Sequence, residues 1–140
     1  MNALSSALIT TSAIIVFALG AVHLLYTFRG NKMHPQASDL RARMEQVSPV
    51  LTHQTTMWKA WIGFNASHSY GALLFGAIYG YLALVHSAFL FQSSFLLSLG
   101  LVALVAYAFL GKRYWFSIPF HGILLATVCY VIALVIHGAV

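Results

Sequence analysis

Acidic side chains are almost missing from this 140-residue chain: Asp39 and Glu45 are the only two. That shortage argues against a di-iron carboxylate centre, which takes about six carboxylate and imidazole ligands from four helices. Neither acid lies in an apolar run, so no membrane-embedded carboxylate is present to relay cations, and a channel or transporter is the weakest of the readings considered. Cys129 is the sole cysteine, which rules out an internal disulfide and a paired-thiol relay; it reads as a small packing residue. No H-E-x-x-H metalloprotease motif occurs. Charged residues make up 6% of the chain, against roughly 25% in soluble domains, too few to cover a water-soluble core of this length.

The seven Lys and Arg residues are as informative in their placement as the acids are in their absence. Arg29, Lys32, Arg41, Arg43 and Lys59 cluster in or beside one stretch, and Lys112 and Arg113 form another. Between and around them lie four apolar runs of the roughly 20 residues that a membrane helix needs, at about 4–28, 58–85, 89–110 and 116–139. Backbone groups in lipid must be satisfied internally, so these runs are helices. The expectation is an all-α, four-helix transmembrane up-down bundle forming one domain over 1–140, with connecting loops at 29–57 and 111–115.

The positive-inside rule turns the placement of the basic residues into sidedness: both basic loops cytoplasmic, both termini on the other side. Trp58, Trp61, Tyr114 and Trp115 fall where an interfacial aromatic belt belongs, on the same basic side. The first run lacks a basic n-region and is long enough to span, so it reads as a span rather than a signal peptide. The net charge of +5 borders apolar runs and forms no stripe, which points to anionic lipid and not to nucleic acid. Inside the first loop, Ser38 suits an N-cap and Leu40, Met44 and Val47 repeat at helical spacing up to Ser48-Pro49. A short amphipathic helix on the membrane surface is expected there; a plain polar loop is the alternative.

Candidate chemistry comes from histidine. His23, His68 and His121 lie roughly 9, 13 and 12 Å inside the charged boundary at 1.5 Å of rise per residue. Ionisable groups at such depth are costly and usually face a bundle interior or a cavity. Helical spacing places Trp61, Asn65 and His68 on one stripe, Tyr114, Ser117 and His121 on another, and His23 beside Tyr26 on a third. Convergence would build a pocket with His23, His68 and His121 as ligands or acid/base groups, lined by Tyr26, Trp61, Asn65 and Ser117. Three neutral imidazoles can hold a transition metal with one position open, two can ligate a haem, and one can act as general acid or base on a lipophilic small molecule. The competing reading makes each histidine an inter-helix hydrogen bond, contributing about 0.6 kcal/mol. His34 and His53 read as solvated loop residues, and His86 and His137 as interfacial.

Lys112 and Arg113 could hold an anionic headgroup or substrate, or simply anchor the topology. Gly76 and Gly80 form a G-x-x-x-G helix-packing face, within the chain or against a second copy. The alternative to a ligand-binding protein is therefore a non-catalytic accessory subunit of a larger membrane complex, or a homo-oligomer, packed through that face. Pro119 falls in the first turn of the last helix, where it is tolerated.

The stretches His23-Leu24-Leu25-Tyr26 and Trp61-Ile62-Gly63-Phe64-Asn65-Ala66-Ser67-His68 resemble those of a family of small uncharacterised bacterial four-helix membrane proteins. That resemblance implies a bacterial inner-membrane location and brings no activity with it. The four-span layout is also similar to that of membrane-associated glutathione and eicosanoid enzymes. The acidic, asparagine-bearing motif of their second helix is missing, since Asn65 has no nearby Glu. A likeness of layout does not establish function.

Overall fold

The computed structural model describes residues 3–138, and the expected end of the fourth span at Ala139 lies outside them. Among the described residues there are six helices: α1 (Ala3–Phe28), α2 (Ser38–Gln46), α3 (Met57–Val85), α4 (Ser87–Gln92), α5 (Ser94–Tyr114) and α6 (Ser117–Gly138). Four of them, α1, α3, α5 and α6, are long and apolar enough to cross a membrane. Only 17–33% of the residues in their most apolar windows are buried within the protein. Phe17, Phe64, Leu84, Phe95, Val102 and Ile118 all point outward. Such an apolar exterior suits lipid and not water, and the chain has the build of an integral membrane protein.

The third apolar run starts later than its hydropathy suggests. The run from Phe89 is broken at Ser93, and residues 87–92, which follow His86, form the separate helix α4. Ser93 supplies the reason. Its backbone leaves the helical region, and its hydroxyl accepts a bond from the Leu96 amide, capping α5. At the other end of α5, Trp115 closes the helix with a bond from its amide to the Gly111 carbonyl.

The chain divides into two compact units. The first comprises Met1–Leu19 with Ala72–Val140, and the second Gly20–Gly71. In the first unit, Ile9, Ala13 and Val16 of α1 pack with Phe75, Tyr79 and Ala83 of α3 and with Leu104, Ala126 and Tyr130 of α5 and α6. Small residues set the spacing. A Cβ on Gly76 would meet the Phe17 Cβ at 2.6 Å and the Ala13 carbonyl oxygen at 2.7 Å, and one on Gly80 would lie 3.6 Å from the Ala13 Cβ. The G-x-x-x-G face is therefore occupied by α1 of the same chain. Gly100 plays the same part for the tyrosines: a Cβ there would run into the Tyr130 hydroxyl and come within 2.7 Å of the Tyr79 ring. Through that gap Tyr79 donates to the Leu96 carbonyl at 2.7 Å and Tyr130 to the Leu97 carbonyl at 3.1 Å. Phe75 stacks on Tyr79.

In the second unit, α1 ends at Phe28 and Gly30 turns the chain with φ of 76°, a left-handed conformation glycine adopts without strain. Helix α2 begins at Ser38, but the capping position falls to Ala37, and no side-chain cap bond forms. No residue of α2 is buried. The loop is nonetheless tied down: the Trp61 indole donates to the Met33 carbonyl at 3.0 Å, and the Met57 amide donates to the Val47 carbonyl at 2.9 Å.

Candidate functional site

The second unit brings two of the expected histidines together. His23 on α1 and His68 on α3 meet edge to face, with ring centroids 5.3 Å apart and planes at 79°. Between them and the loop stands Asn65, one turn before His68. The Asn65 amide nitrogen donates to the Trp61 carbonyl at 2.8 Å, which turns the amide oxygen toward His23. That oxygen lies 3.0 Å from His23 Nε2. An amide oxygen only accepts, so His23 carries a proton on Nε2, and in the neutral ring the lone pair is on Nδ1. The Thr27 hydroxyl donates to the His23 carbonyl and the Ser69 hydroxyl to the Asn65 carbonyl, satisfying the polar groups around the pair. All three polar residues are half-buried.

The other candidates are placed differently. Tyr26 and Trp61 are exposed, and the indole of Trp61 is committed to Met33. His121 and Ser117 belong to the first unit and are exposed on α6, with the His121 ring against Phe120. Among the described residues no group of three or more His, Cys, Asp or Glu side chains could hold a metal ion. What the arrangement offers chemically is an imidazole anchored through Nε2 beside a second imidazole, a set for hydrogen bonding or proton transfer.

At the end of α5, Lys112 and Arg113 are exposed, and the Arg113 guanidinium lies 5.3 Å from the Tyr114 ring centre. His86 and the Tyr81 hydroxyl are 3.1 Å apart, and His137 packs on Phe91. His34, expected to be solvated, is engaged: Arg41 Nη1 lies 3.0 Å from its Nδ1, and its ring meets Trp58 edge-on at 5.1 Å. The seven-residue separation of His34 and Arg41 spans a non-helical turn, so helical spacing could not pair them; the charge-bearing loop itself was the available signal.

The chain matches no protein-family model, and no curated protein or solved structure shows significant similarity to it.

Proposed function

We propose that this integral membrane protein binds a lipophilic small molecule at a site built on His23, Asn65 and His68, with an imidazole donating or accepting a proton. The observation that carries the reading is the orientation of Asn65. Its amide is fixed by the Trp61 carbonyl and in turn holds the His23 tautomer, leaving Nδ1 as a ready acceptor. In this reading the two basic connections face the cytoplasm, which puts the site in the cytoplasmic half of the bilayer, and α2 rests on the membrane surface.

Mass spectrometry of molecules extracted from the purified protein tests the proposal. Expected is a stoichiometric apolar compound bearing a carbonyl, hydroxyl or comparable polar group. Its loading should fall at least about tenfold in His68→Ala and Asn65→Leu, as loss of a buried hydrogen-bonded partner implies. Circular dichroism and membrane insertion should stay unchanged. Wild-type protein carrying no such compound, or variants loaded as fully as wild type, would end the proposal.

A second reading, assembly with another membrane subunit or another copy, draws on a different surface. Gly76 and Gly80 are covered by α1. An open groove of about 610 Å³ remains in the first unit, lined by Ala3, Ser6, Ala7, Thr10, Thr11 and Ala83 among others. Small residues let a partner helix approach closely.

A further inference from the structure

The loop between α1 and α3 contains a cationic hollow that the histidine site does not use. It has a volume of about 520 Å³ and is lined by Asn31, Lys32, His34, Gln36, Ser38 and Arg41 together with a proline ring. Both carboxylates of the chain lie nearby in sequence, yet neither Asp39 nor Glu45 lines it.

Arg41 is held in place on three sides. Its Nε donates to Glu45 at 3.1 Å, its Nη1 bonds His34 Nδ1 at 3.0 Å, and its guanidinium carbon sits 4.8 Å from the centre of the Trp58 ring. The same Nη1 lies 3.5 Å from His34 Nε2, so the guanidinium sits against the imidazole at both ring nitrogens. Arg41 thus retains Nη2 donors that no hydrogen bond among the described residues uses. Lys32 is exposed and forms no ion pair among the described residues. The Ser38 hydroxyl is not spent on capping α2. The hollow is therefore surrounded by a pre-positioned guanidinium, an ammonium, amides and a hydroxyl.

We infer that this hollow binds a phosphate group. A guanidinium fork matches two phosphate oxygens, and its fixed placement removes the ordering cost that a free arginine would bear. The position suits the phosphate of an anionic phospholipid: the hollow lies just past the last apolar turn of α1, with Trp58 of the first turn of α3 against Arg41, at headgroup level for an interfacial tryptophan. A soluble phosphomonoester shares that chemistry and is the other source.

Native mass spectrometry of the full-length protein in detergent, titrated with phosphatidylglycerol or with phosphatidylcholine, reads lipid binding. Phosphorus NMR with glycerol 3-phosphate reads the soluble source. The expected result is retention of phosphatidylglycerol over phosphatidylcholine, weakened about tenfold or more in Lys32→Gln and in Arg41→Gln and unchanged in the Lys112→Gln/Arg113→Gln pair. Binding of glycerol 3-phosphate with the same dependence on Lys32 would assign the soluble source instead and equally uphold a phosphate site. Lys32 is exposed and forms no hydrogen bond or ion pair among the described residues, so its variant tests the site even if Arg41→Gln fails to fold. Equal binding by wild type and Lys32→Gln, or equal loss in the Lys112/Arg113 variant, overturns the inference.

Discussion

Gly76 lies so close to Ala13 that a methyl group on it would sit 2.7 Å from the Ala13 carbonyl oxygen, closer than any real Cβ contact. The backbones of α1 and α3 in the first unit approach as closely as they do because residue 76 has no side chain.

Gly76→Ala should therefore destabilise the protein by about 1–3 kcal/mol, the usual cost of overpacking a well-packed contact. Gly63→Ala is its matched control. A Cβ there meets nothing within 4 Å, and the substitution should be neutral or stabilise helix α3 by up to about 1 kcal/mol. Thermal unfolding of both variants in the same detergent checks the pair; equal shifts would refute the contact.

Tyr130 is completely buried and hydrogen-bonded to the Leu97 carbonyl across the space left by Gly100. Tyr130→Phe should cost about 1 kcal/mol, the net worth of one hydrogen bond. Gly100→Ala should cost more, because the new methyl displaces the phenol ring as well as its bond. A smaller loss for Gly100→Ala than for Tyr130→Phe in chemical denaturation would contradict this ordering.

Ser12 is also fully buried, yet its hydroxyl has no hydrogen-bond partner within the described structure. Removing an unsatisfied polar group relieves its desolvation cost. Ser12→Ala should leave stability unchanged or raise it by about 1 kcal/mol, read as the unfolding midpoint. A clear loss would reveal a partner for the hydroxyl.

His23 is held by Asn65 as the Nε2–H tautomer. Nitrogen-15 NMR of labelled imidazoles should show that tautomer in wild type and a mixture in Asn65→Leu, where the accepting oxygen is gone. A wild-type spectrum dominated by the other tautomer would remove the relay.

Trp61→Phe deletes the one side-chain hydrogen bond that ties Met33 to α3 among the described residues. Amide exchange across residues 31–37 should accelerate while the rest of α3 remains protected. Unchanged exchange would show that α2 and its flanks hold the loop without the indole.

The four long apolar helices were legible because lipid demands long apolar runs such as those around Ala13 and Leu104. The break before α5 was hidden for the same reason: Phe89, Leu90 and Phe91 continue the apolar run through α4, and only the serine at 93 carries the stop. Helical spacing put Asn65 and His68 on one stripe, and the structure keeps them on it. Spacing does not fix which way a stripe turns, since rotation of a helix is set by contacts such as Gly76 against Ala13. His121 accordingly shares the expected periodicity and yet is exposed on α6. The guanidinium–imidazole pair of Arg41 and His34 was out of reach, because it depends on the path of an irregular turn.

The helices are unequal in length. At 1.5 Å per residue, the 26 residues of α1 and the 29 of α3 extend about 39 and 43 Å, whereas the 21 of α5 and 22 of α6 extend about 32 and 33 Å. A hydrocarbon layer about 30 Å thick accommodates the shorter pair upright. The longer pair must lean or protrude, so thickening or thinning the surrounding bilayer should shift α1 and α3 far more than α5 and α6.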